Sequence, residues 1–287
     1  MTWRWAVLIL GSLVLAWPIA SLDVPAAPLF AGLIAAVGVS SFTGVPYPSR
    51  FPRFGQSILG IQIGLLFNHL ALAGMLQHWF SVLLISAGTL LLSLACGLLF
   101  SQWAGVSKGT GLLAMTAGGA AGITSIAQEL GTETGLVAVL QYLRVVVVMM
   151  SLPIAVLWIF AEPVYISTLP TQTPGNWPGS LLLLVLGGLS APIAKRLHLA
   201  APYLLGPLLV TLILTATGYN PTPALPSVLL YLAYLFIGWQ AGLQLSISRL
   251  LGYRFLLPRA LLLIVFLNLL CALLGLALAH LAAILFI

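Results

Sequence analysis

Long apolar runs, separated by short polar stretches, follow one another along almost the whole chain. Each run is close to the roughly 20 residues that a helix needs to cross a hydrocarbon core with all its backbone hydrogen bonds internal. We therefore predict an all-α, polytopic transmembrane bundle of about nine spans. The predicted helices are at 5–22, 26–44, 54–75, 79–103, 133–161, 179–194, 200–218, 226–247 and 255–287.

Two stretches interrupt this pattern. The first, "EPVYISTLPTQTPGNWP" at 162–178, is rich in proline and polar residues and reads as an aqueous linker. It divides the chain into a first membrane repeat at 1–161 and a second at 179–287. The other stretch, "TAGGAAGITSIAQELGTETGLVAVLQYLR" at 116–144, places glycines, carboxylates, amides and an arginine between two apolar runs. This glycine-rich stretch is the main candidate for function.

The two halves are related by a shift of 174 residues without a gap. Residues 18–64 then align with 192–238, with twelve identities over 47 positions, six of them proline or glycine. Proline and glycine are the residues least easily exchanged at turns and close helix contacts. We therefore predict a duplicated unit in which the first helix is an architectural member and not a removable signal. The second copy is incomplete, because position 116 would map beyond the last residue, Ile287.

Composition and charge place these helices in a membrane. The chain is 61% hydrophobic and 5% charged, far less charged than a soluble surface requires, so the lipid bilayer is the expected partner. The net charge of +6 is explained by basic loops on the cytoplasmic side, and no nucleic-acid partner is predicted. The four histidines are scattered, so no metal site, cofactor or oxygenase chemistry is predicted from them.

The basic residues also decide how the halves are oriented. If residues 110–130 enter the membrane and return to the same side, nine of the ten basic residues are cytoplasmic, whereas a full crossing leaves only four there. A re-entrant segment is therefore predicted, and it gives the two repeats inverted topology. Inverted repeats with interrupted helices near the membrane midplane are typical of secondary transporters.

The glycine-rich stretch supplies the candidate substrate site. Gly118 and Gly119 allow a close approach or unusual backbone torsions at the turn, and a short helix carrying polar side chains is expected to end at Gly131 as a left-handed cap. Thr132 is the predicted N-cap of the next helix, on which Gln141 and Arg144 share a face. The predicted substrate-binding residues are Gly118, Gly119, Thr124, Ser125, Gln128, Glu129, Gln141 and Arg144.

Other interpretations of these residues remain open. The glycines are also typical of tight helix packing, and Arg144 could extend from a tilted helix to the membrane surface. If Arg144 is functional, its charge favours a small anionic solute, such as a carboxylate. Alternatively, Glu129 or Glu133 neutralises Arg144 and the pair is structural. Asn268, with other polar residues in the apolar runs, is predicted to form interhelical hydrogen bonds.

The series from Gly118-Gly119 through Glu129-Leu130-Gly131 to Leu143-Arg144, closing with Pro153, resembles the AbrB family of bacterial inner-membrane proteins. The resemblance implies a duplicated hydrophobic unit in the plasma membrane. The family motif has a proline before the glycine pair and an acidic residue soon after it, where this chain has Ala117 and Gly122. The departure puts proton or cation coupling through that acid in doubt. The missing second motif implies a truncated member or a homodimer in which the partner completes the site.

The family carries two functional labels, regulation of gene expression and ammonia monooxygenase. The histidine pattern does not support the second, so the chain is not predicted to be an enzyme. Direct regulation is disfavoured, since no soluble domain could contact DNA bases. The leading prediction is a secondary-transporter-like carrier of a small solute. The alternative is a membrane protein that regulates gene expression indirectly.

Overall fold

The computed structural model describes residues 2–21, 26–42, 48–66, 79–160, 177–199, 201–217, 225–245 and 247–285. Within these ranges the chain is helical, with no β-strand. The helices are α1 (Thr2–Ala20), α2 (Ala27–Phe42), α3 (Arg50–Leu66), α4 (Trp79–Ala104), α5 (Lys108–Met115), α6 (Ala120–Glu129), α7 (Thr134–Phe160), α8 (Trp177–Arg196), α9 (Pro202–Ala216), α10 (Ser227–Gln244), α11 (Ile247–Gly252) and α12 (Leu257–Leu285).

Each of the nine predicted helices has a counterpart among these twelve. The largest difference is in α3, which begins at Arg50 instead of residue 54, while the predicted part beyond Leu66 lies outside the described residues. The short helix α6 is the one predicted to end at Gly131, and the short helices α5 and α11 are additional. Five described helices, α1, α4, α8, α10 and α12, are long and apolar enough to cross a membrane. The total of nine spans stays a prediction.

The helices belong to two compact units. Unit one comprises Met1–Leu72 and Val156–Ile247, and unit two comprises Ala73–Ala155 and Ser248–Ile287. Each unit therefore contains chain from both sides of the predicted linker, most of which lies outside the described residues. The division into repeats at 1–161 and 179–287 concerns sequence ancestry and stays a prediction.

Within unit one, helices from the two halves pack against each other in matching pairs. Helix α2 packs on α10, and α3 packs on α9. The aligned glycines Gly64 and Gly238 explain these contacts. A Cβ at Gly64 would lie 2.7 Å from the Cβ of Thr211 on α9, and one at Gly238 would overlap the carbonyl oxygen of Leu29 on α2. Small residues therefore let both helix pairs approach closely, as in membrane helix packing.

The order of helices also repeats along the chain. Adding 174 to the numbers of α2 gives 201–216, and the observed α9 is Pro202–Ala216. The same shift takes α1 to α8, α3 to α10 and α4 to α12, within nine residues at every helix end. The aligned prolines, Pro18 and Pro192, both lie inside helices near the carboxyl end. The helix bounds are those expected of a duplication.

Unit two is built around an apolar cluster. The cluster joins Phe100 of α4, Met115 of α5 and Leu140 of α7, which are all 0% exposed, to side chains of α6 and α12. Burying a large apolar side chain contributes about 1.5–3 kcal/mol in water, although in lipid the contribution comes mainly from close packing. The cluster therefore fixes α5 and α6 against three longer helices.

Candidate functional site

The glycine-rich stretch forms a helical hairpin of α5 and α6, interrupted by a non-helical tip at residues 116–119. The two ends of the hairpin meet. The backbone N–H of Glu133 donates to Oγ1 of Thr110 at 3.3 Å, and a Cβ on Gly109 would lie 3.0 Å from Cγ2 of Thr132. The chain therefore leaves the hairpin beside the point where it enters, as the prediction of a returning segment requires.

The hairpin base is organised by short polar side chains. Ser107 is the N-cap of α5, with its Oγ accepting from the backbone N–H of Thr110 at 3.2 Å. Gly131 has φ +63°, so the predicted left-handed cap is confirmed. The predicted N-cap role of Thr132 is wrong, because its Oγ1 donates back to the carbonyl of Ala127 at 3.0 Å and α7 begins at Thr134.

The tip is held by two side chains of α7. Nε2 of Gln141 donates to the carbonyl oxygens of Leu113 at 2.7 Å and Thr116 at 2.9 Å. Nη1 of Arg144 donates to the carbonyl oxygen of Met115 at 2.8 Å. These carbonyls are at the carboxyl end of α5, which lacks intrahelical partners and carries partial negative charge. A buried helix end is thereby satisfied, and the arginine suits its dipole.

These contacts revise the roles predicted for the α7 side chains. Gln141 is 2% exposed and uses its amide nitrogen on the hairpin, so it positions the tip and leaves only its carbonyl oxygen for a solute. Arg144 is half-buried, and a guanidinium has five N–H donors, of which the bond to Met115 uses one. In the described part of the chain, Arg144 forms no ion pair with Glu129 or Glu133, both of which are exposed.

The glycines of the tip allow close packing and do not adopt unusual backbone torsion angles. Gly119 has φ −66° and ψ 116°, which any residue can adopt, and the positive-φ glycines of the described chain are Gly105 and Gly131. The prediction of unusual torsions at Gly118 and Gly119 is therefore wrong. A Cβ on Gly118 would lie 2.8 Å from Cδ1 of Ile123 on α6. Small residues here allow the tip to fold closely over the amino end of α6.

The remaining predicted residues lie along α6. No described side chain caps the amino end of α6 at Gly119. Thr124 is half-buried, and the side chain of Ser125 lies outside the described residues. Gln128 and Glu129 are exposed, nine and ten residues beyond Gly119, or about 14–15 Å along the helix at 1.5 Å per residue. The structure therefore gathers Gly118, Gly119, Gln141 and Arg144 at the tip and leaves Gln128 and Glu129 at the base.

Two further polar groups lie buried in unit two without a hydrogen-bond partner among the described residues, Oγ of Ser93 on α4 and Nδ2 of Asn268 on α12. Helices α4 and α12 run antiparallel: Arg259 donates to the carbonyl of Trp103, and a Cβ on Gly88 would contact Leu274. Counting five residues along each helix from Gly88 and Leu274 places Ser93 opposite residue 269. Ser93 and Asn268 therefore lie at the same level.

That level is also the level of the tip. A Cβ on Gly97 would lie 2.8 Å from Cα of Leu112, and Ser93 is one turn further along α4, beside the end of α5. Arg144 reaches the same level through its bond to Met115, the last residue of α5. Buried polar groups are nearly always hydrogen-bonded, so two unpartnered ones near a cation indicate a place for a polar solute or water.

Neither residue was predicted as part of the site. Asn268 is polar within an apolar run and was assigned to interhelical hydrogen bonding, but its amide nitrogen has no partner here. A serine within an apolar helix gives no signal, because its hydroxyl usually bonds the preceding turn. Only the packing of α4 against α5 and α12 reveals Ser93.

Comparison with known proteins identifies the family of the chain. The model of the family described as "Transition state regulatory protein AbrB" matches residues 29–287. The chain belongs to the AbrB family. It is 30% identical over 274 residues to "Putative regulator AbrB" of Escherichia coli strain K12, covering 94% of this chain and 78% of that protein. The family resemblance predicted from the glycine-rich stretch is thereby confirmed.

A second relative extends the comparison. The chain is 29% identical over 219 residues to "Uncharacterized protein YhjN" of Bacillus subtilis strain 168. This alignment covers 71% of the present chain and 56% of the Bacillus protein, so the chain spans little more than half the length of that relative. No solved structure matches the chain. The name of the Escherichia coli relative describes a regulator, and the name of the Bacillus relative assigns no function.

Proposed function

We propose that this AbrB-family protein is a secondary-transporter-like carrier of a small anionic solute in the bacterial inner membrane. One observation carries the proposal. An interrupted helical hairpin ends beside Arg144 and beside the unpartnered groups of Ser93 and Asn268. Irregular backbone within a membrane is tolerated where protein or a water-filled cavity satisfies it, and transporters place their solute sites on such interrupted helices.

The lengths of the hairpin helices support a site near the middle of the bilayer. Helix α5 has 8 residues and α6 has 10. At 1.5 Å per residue they reach about 12 and 15 Å, roughly half of a 30 Å hydrocarbon core. Arg144 lies eleven residues after Glu133, about 16 Å along α7 from the hairpin base. The tip and the arginine are therefore at matching depth.

The charges around the tip favour an anion. Arg144 has N–H donors beyond the one used on Met115, and the uncapped amino end of α6 presents partial positive charge. No carboxylate of the described residues forms an ion pair with Arg144. A cation at depth is costly unless paired, and a bound anion would supply the partner. Ser93 and Asn268 would then contribute neutral hydrogen bonds. Asn268 would favour solutes with an acceptor atom for its amide N–H over solutes without one.

The proposed topology is that of two inverted repeats. Because the ends of the hairpin meet, the chain after residue 133 returns to the side from which it entered, which supports a re-entrant segment. The amino end of α3, with Arg50 and Arg53, and the carboxyl end of α8, with Lys195 and Arg196, are then both cytoplasmic. Single-cysteine labelling in intact cells measures on which side of the membrane each helix end lies. Opposite accessibility of the two helix ends would remove the inverted-repeat part of the proposal.

The transport experiment uses purified protein in liposomes and a panel of labelled small carboxylates. We expect Arg144→Gln to abolish uptake, while the exposed Arg254→Gln in the same unit serves as a charge-matched control. Because Arg144 also supports the tip, a folded fraction must be measured for each variant. Uptake that persists in a folded Arg144→Gln protein would contradict the proposed site.

Asn268→Leu gives a cleaner test of the same site. Replacing a side chain whose buried amide nitrogen has no partner among the described residues by an apolar group of similar size is expected to be neutral or stabilising if the residue is only structural. If Asn268 binds the solute, uptake falls while the melting temperature stays the same or rises. Unchanged uptake would remove Asn268 from the site without affecting the role of Arg144.

A second candidate function is indirect regulation of gene expression, favoured by the name of the Escherichia coli relative. In this case the site of unit two would bind its solute as a sensor and not move it. Ligand-dependent stabilisation without flux in liposomes would favour the sensor, and flux would favour the carrier. Neither role requires a cofactor, and the partner in both is a small-molecule solute. A homodimer that completes the site stays a prediction.

A further inference from the structure

An apolar groove of about 600 Å³ runs along the outside of unit one, between α1, the start of α3 and α10. Its walls include Trp5, Ile9, Leu13, Phe51, Leu232 and Trp239. Four aromatic rings in mutual contact line part of it. The ring centroids of Trp5 and Phe51 are 5.7 Å apart, and that of Phe236 lies 5.0 Å from Phe51 and 5.4 Å from Trp239. The groove is thus a shaped surface, within the range of about 300–1,000 Å³ usual for ligand sites.

Two arginines directly precede the residues that line one end of the groove, Trp5 and Phe51, although neither arginine lines the groove itself. Arg4 precedes Trp5, and the exposed Arg50 precedes Phe51 at the first residue of α3. The side chain of Arg4 also lies over the ring of Trp3, 5.9 Å from its centroid. Tryptophan beside arginine at one end of an apolar helix is typical of the membrane–water interface. The groove therefore has a cationic end at headgroup level and an apolar body along the membrane-length helices α1 and α10.

We infer that this groove binds one acyl chain of an anionic phospholipid, with the phosphate-bearing headgroup at Arg4 and Arg50. Charge decides against a helix from a second copy. The chain has ten basic and only four acidic residues, so a second copy offers few groups that could pair with Arg4 and Arg50. An acyl chain is narrow and flexible enough to enter the groove. The two arginines select a negative headgroup, because basic side chains near a membrane surface attract anionic lipids.

The test is native mass spectrometry of the full-length protein in detergent, titrated with dioleoyl phosphatidylglycerol or dioleoyl phosphatidylcholine. The acyl chains are identical, so the difference reports the headgroup. We expect one high-affinity phosphatidylglycerol per chain and weaker phosphatidylcholine binding. The double variant Arg4→Gln, Arg50→Gln should weaken phosphatidylglycerol binding about 25-fold, since each basic residue contributes about a factor of five. Arg196→Gln, an exposed position of unit one away from the groove, should not.

A steric variant tests the groove independently of charge. Ile9→Trp places a large ring in the groove from an exposed position on α1 and should reduce the binding of both lipids. Leu181→Trp on α8, equally membrane-facing but outside the groove, is its control. Circular dichroism and thermal melting verify that each variant is folded.

Three outcomes would overturn the inference. Equal binding of both lipids that the arginine variants do not change would remove the headgroup selection. Undiminished lipid binding to a folded Ile9→Trp protein would remove the groove. Dissociation of a dimer by Ile9→Trp would show that a second copy covers this face. None of these results bears on solute binding in unit two.

Discussion

The two compact units are both built of apolar helices, but they differ in how completely those helices pack and satisfy their polar groups. In unit one, glycines bring helices of the two halves into backbone contact, and the buried indole of Trp239 donates to Oγ of Ser12 at 2.9 Å. In unit two, a hairpin is interrupted, and the buried polar groups of Ser93 and Asn268 lack partners. Unit one has the features of a structural scaffold. Unit two retains unsatisfied groups, as proteins do where a ligand must bind.

This contrast shows that the unsatisfied buried polar groups and the interrupted helix are found together in one unit, unit two. Lipid offers no hydrogen bonds, so each unsatisfied group in the hydrocarbon region is costly. The groups of unit two that stabilise the interrupted hairpin, Gln141 and Arg144, therefore matter for local structure as well as for any solute. Substitutions in unit one should affect global stability, while those at the hairpin should act locally.

The largest expected effect is that of Gly238→Leu in unit one. The added side chain would overlap the backbone of Leu29, which cannot rotate away. Overpacking usually costs about 1–3 kcal/mol and occasionally more, and a whole leucine side chain placed against backbone is expected to exceed that range, at roughly 4 kcal/mol or more. We expect loss of monodisperse, folded protein in size-exclusion chromatography. Gly188→Leu on α8 is the control, because a Cβ there meets nothing within 4 Å. Equal losses in both variants would mean that lipid-facing bulk, and not helix contact, is responsible.

A smaller and local effect is expected of Gln141→Leu in unit two. The change leaves the carbonyls of Leu113 and Thr116 without the amide that bonds them. Each net hydrogen bond contributes about 0.5–1.5 kcal/mol, and an unsatisfied buried group costs about 1–3 kcal/mol, so we expect a loss of roughly 2–4 kcal/mol. Hydrogen exchange should accelerate at residues 113–119 and not in α2. Gln128→Leu, at an exposed position of α6, should leave exchange at the tip unchanged.

Thr110→Val tests the closure of the hairpin base. It removes the hydroxyl that accepts from the N–H of Glu133 and bonds Oγ of Ser107. We expect a loss of about 1–2 kcal/mol, in the range of one or two hydrogen bonds. Proteolysis between α6 and α7 should become faster. Thr110→Ser keeps the hydroxyl and should restore resistance; failure of this rescue would assign the effect to packing.

An effect of the same size as that of Thr110→Val is expected of Gly131→Ala. A side chain at φ +63° costs about 1–2 kcal/mol. Gly275→Ala, in an open part of α12, should instead be neutral or stabilise by up to about 1 kcal/mol, because alanine favours the helix. Thermal melting of the two variants should therefore change in opposite directions. A melting temperature unaffected by Gly131→Ala would show that the turn can adopt another conformation.

The sequence was sufficient for features that depend on neighbouring residues. Helices were predicted from apolar runs, because length and hydrophobicity alone decide whether backbone can be satisfied in lipid. The cap at Gly131 was predicted because glycine suits a left-handed helix end. The family was predicted from the spacing of the glycine pair, the glutamate and Arg144, and the family match agrees.

Features that depend on distant residues were predicted less well. Arg144 was identified as unusual, but its bond to Met115 depends on where α5 ends in space. Thr132 looked like an N-cap, yet a nearby carbonyl, that of Ala127, takes its hydroxyl. Ser93 carries no local signal at all. Each case requires knowing which backbone groups another helix leaves unsatisfied.

The pairing of α2 with α10 has a consequence for biosynthesis. From Phe42, where α2 ends, to Ser227, where α10 begins, the ribosome adds 185 residues. At about 5–20 residues per second this takes roughly 10–40 s. During this interval α2 is complete while the helix that contacts its Gly32 has not been made. Unit one therefore assembles late in translation, and its early helices depend on lipid or on the insertion machinery until the second half of the chain arrives.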